Sequence, residues 1–73
     1  MRTLAEVQLQ VDEFEALRLS DVEGLAQEES ASRMGISQST FYRILAGARK
    51  KTATAITNGA ALRIQGGTVV VKH

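Results

Sequence analysis

Apolar and polar positions change period along this chain, and the changes mark its elements. Across residues 4–11, LAEVQLQV, the apolar residues Ala5, Val7, Leu9 and Val11 alternate with Glu6, Gln8 and Gln10. A period of two places one side of a strand on a core. From Asp12 the spacing lengthens to that of a helix, predicted over 12–23 and closed by Gly24, with Phe14, Leu17, Val22 and Leu25 as its inner stripe. Asp12 and Glu15 have capping-box spacing, with Asp in place of the usual Ser or Thr, and acids in a first turn suit the helix dipole. Arg18 and Asp21 lie close to the stripe, so Arg18 is expected to pair with Asp21 or with a carboxylate of the next helix.

A short helix is predicted over 26–34, with Ala31 and Met34 facing inward. Gly35 can adopt the positive φ that ends a helix sharply. Ile36 then plugs the turn, and Ser37 is a good N-cap. A third helix is predicted over 38–57, with Phe41, Ile44, Leu45 and Ala48 at i, i+3, i+4 and i+7 and an Asn58-Gly59 stop. Gly47 inside it costs ~1 kcal/mol relative to alanine. Residues 61–72 read as a β-hairpin turning at Gly66-Gly67, with Leu62, Ile64, Val69 and Val71 on one face. The expected fold is mainly α: one domain over residues 1–73, a three-helix helix-turn-helix core with an N-terminal strand and a C-terminal β-hairpin.

The helix-turn-helix reading rests on the spacing Ala31, Gly35, Phe41, Ile44. The small residue lets two helices cross closely, the glycine makes the turn, and the two apolar residues lock the second helix on the first. Wound at about 100° per residue, the third helix carries Ser39, Arg43, Ala46 and Lys50 opposite its apolar face, flanked by Tyr42 and Gly47. Short hydrogen-bonding side chains at the helix start suit base edges and phosphates in a major groove. Ser37, Gln38, Ser39, Thr40, Tyr42 and Arg43 are therefore candidate DNA contacts, with Gln38 and Arg43 as base readers; Ser37 and Thr40 have capping as their alternative role. Arg49, Lys50 and Lys51 span about 200° of arc, too wide for one groove, so Lys50 and one neighbour are expected to hold phosphates. Ala46 and Gly47 are small enough to allow close approach to DNA.

Charge strengthens that reading. The net charge is only +1, yet all eight acids fall within residues 1–29, where two arginines oppose them, a balance of −6; residues 30–73 hold seven cations and no acid. One half can approach a polyanion and the other is repelled by it. Composition excludes much else. With no cysteine and one histidine, His73, the 73 residues can form neither a disulfide nor a closed Cys/His zinc site. Without a nucleophile motif, H-E-x-x-H or P-loop, no catalytic, metal or cofactor site is expected and an enzyme is disfavoured. No apolar run nears the ~20 residues of a membrane span, and the opening MRTLAEVQLQ lacks the apolar block of a signal peptide. A cytoplasmic location is the expectation.

The run VDEFEALRLSDVEGLAQEESASRMGISQSTFYRILAGARKK, followed by AITNGAALRIQGG, resembles a family of small prokaryotic UPF-type proteins of unknown function, regarded as predicted DNA-binding proteins. The resemblance covers about residues 4–67 and rests on EALRL, QEE, RMG-x-S and TF-x-RIL taken together. It implies a helix-turn-helix similar to region four of sigma factors, a bacterial or archaeal origin and a role in transcription. Members often carry a longer basic N-terminal arm and sometimes a fused cofactor-binding domain, features these residues do not include.

The expected function is sequence-specific binding of double-stranded DNA by a transcriptional regulator. The alternative is a helix-turn-helix adaptor that docks on the transcription machinery through its acidic first helix. A homodimer is expected, because a three-helix unit this small covers only part of the apolar faces of the strand and hairpin, and a lone hairpin is marginal in water. The strands of two subunits would then share one sheet; the competing arrangement is a monomer with a private three-stranded sheet.

Overall fold

The structure, a computed structural model, describes residues 5–64. The chain order is β1 (Glu6–Leu9), α1 (Val11–Leu17), a π-helical extension of α1 (Arg18–Val22), α2 (Gln27–Met34), α3 (Gln38–Asn58) and β2 (Ala61–Ile64). The fold is mainly helical, with a small two-stranded parallel sheet. β1 and β2 pair with Val7 opposite Leu62 and Leu9 opposite Ile64. All three helices form the crossover between them, so the sheet joins the two ends of the described chain. Glu6 and Arg63 tie the same strands across their outer face at 3.2 Å.

The core is built from small contacts as much as large ones. Ala16, Ala31, Phe41 and Leu45 are fully buried together, with Leu17, Met34, Ile36 and Ile44 packed around them. Leu9, Leu19, Ala48 and Ala55 are buried as well. Ala16 and Ala31 let α1 and α2 lie close to α3, where Phe41 and Leu45 fill the space between. Ser30 is also fully buried, and its hydroxyl has no hydrogen-bond partner among the described residues.

The segment from α2 into α3 follows its local signals. Gly35 adopts φ 70° and closes α2, while the Ile36 N–H donates to the Ala31 carbonyl at 3.0 Å, a Schellman-type stop. Ser37 caps α3: its hydroxyl accepts from the Thr40 N–H at 3.1 Å. Gly59, at φ 63°, ends α3 in the same manner, with Ala60 N–H donating to Ala55 O at 2.8 Å.

The first third of the chain departs from expectation. Of the strand expected over 4–11, the described residues 5–11 form a strand at 6–9, and Val11 already belongs to α1. The capping box is formed by Gln10 and Glu13, not by Asp12 and Glu15: the Gln10 N–H donates to Glu13 Oε1 at 2.9 Å. After Leu17 the helix widens, and the Glu23 N–H reaches back five residues to Arg18 O at 2.8 Å. Ala16 faces the core from the regular part of α1, and the wider turn brings Leu19 inward, while Val22, expected inside, is 77% exposed. Arg18 pairs with Glu15 at 2.8 Å and Glu23 at 3.5 Å, not with Asp21 or helix 2, because the π turn brings Glu23 beneath it. The second hairpin strand, with Gly66-Gly67, Val69 and Val71, lies outside the described residues. Its first strand pairs with β1 of the same chain.

Candidate nucleic-acid interface

α3 positions most of the expected contact residues. Its first turn is a compact hydroxyl cluster: Ser37 Oγ lies 2.9 Å from Thr40 Oγ1 and 3.3 Å from Ser39 Oγ. Ser37 and Thr40 therefore meet each other as cap and capped turn. Gln38 and Ser39 stand exposed beside them. One turn on, Tyr42 and Arg43 are exposed, and Phe41 between Thr40 and Tyr42 is fully buried, which fixes the rotation of the helix.

The three consecutive cations separate into different environments. The Arg49 guanidinium donates to both oxygens of Asp21, Nη2 at 2.6 Å and Nε at 3.1 Å, and its Nη2 also lies 3.5 Å from Ser20 Oγ. The Lys51 ammonium donates to Glu13 Oε1 at 2.9 Å. Both acids come from α1 and its extension, which crosses α3 with Glu13 reaching one flank and Asp21 the other. Lys50 projects between them and has no acidic partner among the described residues.

The same sorting runs through the rest of the described chain. Arg18 pairs with Glu15 and Glu23, Arg33 with Glu29, and Arg63 with Glu6. Among the described residues, Arg43 and Lys50 are the two cations left without an acidic partner. They are seven residues apart on one helix, which at about 100° per residue leaves them within about 20° of the same direction. Ser39 and Ala46 complete that outer strip.

The pairings shift the ionisation of both acids. The Arg49 hydrogen bond is the main cause that holds the Asp21 carboxyl below its ordinary range. At Glu13 burial acts to raise the value, but the Gln10 N–H and the Lys51 ammonium together outweigh it and leave the carboxyl lowered. Arg49 is held more firmly protonated, chiefly by its hydrogen bond to Asp21.

Gly47 does not face outward with Ala46. A methyl group at Gly47 would sit 3.4 Å from Glu13 Oε2, so this glycine lies on the flank against α1 and not on the outer strip. The Glu13 and Asp21 contacts are what sequence reasoning missed. Their partners lie 38 and 28 residues away, and no local spacing signals them. Among the described residues no group of three or more His, Cys, Asp or Glu could hold a metal ion, and no helix is long and apolar enough to cross a membrane.

Fold and surface together define a mainly helical unit whose longest helix carries, on its outer strip, two cations without an acidic partner among the described residues. The chain belongs to the family described as "Protein of unknown function DUF134", which matches residues 1–72. It is 61% identical over 64 residues to a "UPF0251 protein" of Desulforudis audaxviator (strain MP104C), covering 88% of this chain and 42% of the relative. It is 57% identical over 67 residues to a "UPF0251 protein" of Moorella thermoacetica, covering 92% and 45%. A "UPF0251 protein" of Pelotomaculum thermopropionicum is likewise 57% identical over 67 residues, covering 92% and 51%. The chain thus spans about half the length of the curated relatives it matches. No solved structure matches it.

Proposed function

We propose that this chain binds double-stranded DNA as the recognition part of a transcriptional regulator, with α2, the Gly35 turn and α3 acting as a helix-turn-helix similar to region four of sigma factors. The observation that carries the reading is the pairing pattern: Arg43 and Lys50 lack acidic partners among the described residues and share one exposed face of α3 with Ser39. Such a strip fits a major groove, with short polar side chains at base edges and cations toward phosphate. Gln38 and Arg43 read bases, Ser39 and Tyr42 contact the groove wall, and Lys50 holds phosphate; Ser37 and Thr40 shape the turn that enters first.

A homodimer is part of the proposal. The described sheet has only two strands, and open strand edges favour pairing with another chain. A two-fold axis would present two α3 helices to half-sites ~34 Å, or a multiple, apart. Sedimentation equilibrium checks this: a single-chain mass at tens of micromolar would remove the dimer.

Titration of the protein into a random duplex pool at rising salt, followed by sequencing of the bound fraction, tests the main reading. The expected result is enrichment of a defined site, with affinity that falls steeply as salt rises. No binding to any duplex would overturn it and leave a protein-docking role for the acidic first helix.

A further inference from the structure

We infer that Asp21 and Glu13 act as built-in competitors of DNA phosphate, so that the protein discriminates against non-specific duplex by keeping Arg49 and Lys51 occupied. The inference rests on the DNA-binding reading above and adds the source of its selectivity. Both oxygens of Asp21 are engaged by the Arg49 Nε and Nη2 edge. Glu13 holds Lys51 from the opposite flank. A paired guanidinium and carboxylate offer a polyanion no net attraction. Non-specific duplex affinity comes almost wholly from neutralised phosphates, so each cation tied up in this way subtracts from it.

Geometry makes the effect directional. The two acids bracket the strip of Ser39, Arg43, Ala46 and Lys50 and sit where the phosphate walls of a groove would run if the helix shifted sideways. A duplex seated with base contacts at Arg43 keeps its phosphates near Lys50. One bound by phosphates alone meets the exposed Asp21 carboxylate on one side and, on the other, a Lys51 ammonium already held by Glu13. The Arg49–Asp21 pair is also accessible: its side chains are 52% and 40% exposed, so a phosphate can reach Arg49 once the carboxylate charge is gone. At the other pair it is the Lys51 ammonium, 39% exposed, that a phosphate would meet, with Glu13 largely buried behind it.

The test compares the wild-type chain, Asp21→Asn, Glu13→Gln and the double variant Asp21→Asn/Arg49→Gln. Each binds a selected-site duplex and a scrambled duplex across a salt series, and thermal melts establish that each is folded. Both substitutions remove the charge: Glu13→Gln keeps an oxygen that can accept from Gln10 and Lys51, and Asp21→Asn keeps one acceptor for Arg49 in place of two. In Asp21→Asn, affinity for the scrambled duplex is expected to rise roughly fivefold and the salt slope by about one unit, as one more phosphate is neutralised. Affinity for the selected site should rise less, so the specificity ratio falls. Glu13→Gln should do the same from the other flank, and the double variant should return to the wild-type slope. If the wild type binds with a clear salt slope and both single variants leave that slope unchanged or bind more weakly, the acids position their cations and do not compete, and the inference fails. If the wild type binds neither duplex, the DNA-binding reading itself fails before any variant is compared.

Discussion

The outer strip of α3 and its two flanks carry the same kinds of side chain in different states. Arg43 and Lys50 on the strip meet no acid among the described residues, whereas Arg49 and Lys51 on the flanks each meet one from α1. Along the sequence, Arg49, Lys50 and Lys51 form one block of charge. In the fold only the middle cation is available to a polyanion. Charge counted along a chain is thus an upper bound on charge presented at a surface, and the helix that packs behind determines the difference.

The largest effect should come from removing what holds strip and flanks in place together. Phe41 is fully buried at the centre of the cluster that orients α3. Phe41→Ala is expected to cost about 3–5 kcal/mol, a large share of what a chain this short can have. Thermal or urea unfolding checks it; a loss below about 1 kcal/mol would mean that α3 is fixed by something other than this cluster.

Next comes the strip itself. Arg43 is exposed and unpaired among the described residues, so Arg43→Ala should leave the melting temperature nearly unchanged. On the proposed reading it weakens binding to a selected duplex by about 1–3 kcal/mol, the worth of a bidentate base contact, and relaxes the preference at one base pair. Arg49→Ala, on the flank, should weaken specific binding less, because Arg49 starts out occupied. Equal losses in the two variants would erase the distinction between strip and flank.

What the sequence made legible was local. The path from α2 through Gly35 and Ser37 to Phe41 is encoded by neighbours: a residue free to take positive φ, a hydroxyl one turn ahead of the N–H it caps, and a helical apolar repeat. Each feature acts within about one helical turn, and each stands where its spacing put it. The inner face of α1 was legible only in part: Leu17 packs against the core as its spacing predicts, but Ala16 was missed and Val22 misplaced. Ala16, the residue at its centre, is a weak hydrophobic signal beside Phe14 and Val22, and the π turn after Leu17 changes the angle per residue that a helical wheel assumes. The same holds for the sheet: parallel pairing of Val7 with Leu62 joins residues far apart in the chain, and neither strand's own pattern names its partner. The candidate strip could be read from α3 alone. The acids that leave it as the open part could not.

The flanks also predispose the fold to acid. The folded-state values of both Asp21 and Glu13 lie below their ordinary ones. A carboxyl with a lowered folded-state value binds protons more readily when unfolded. Its stabilising contribution is therefore fully present above the unfolded value, near 4, and is lost as pH falls through the folded value. Stability should be flat at neutral pH and decline below about pH 4 to 5. In Asp21→Asn/Glu13→Gln the decline should be shallower, since two of the groups that take up protons on unfolding are gone. The effect is modest because the Asp21–Arg49 pair is solvent-screened. An unchanged acid limb would show that the flank pairs do not persist in solution.

The smallest effect separates strip from flank most sharply, and it sits at Gly47. Ala46 and Gly47 are adjacent, and by composition either could be the small residue that lets DNA come close. The structure puts Ala46 on the outer side and Gly47 beside Glu13, where an added methyl would rest 3.4 Å from Oε2, an ordinary contact with the end of a flexible side chain. Gly47→Ala therefore introduces no clash and removes the helix-interior penalty of glycine. It should raise stability by about 0.5–1 kcal/mol, a shift of a few degrees in melting temperature for a domain of this size. Duplex affinity should stay within about twofold, because the methyl points toward α1 and away from the strip. Ala46→Leu, one residue earlier, should leave stability nearly unchanged and block the groove. If Gly47→Ala instead weakened binding while leaving stability unchanged, Gly47 would belong to the outer face, and the division of α3 into an open strip and occupied flanks would have to be redrawn about one residue around the helix.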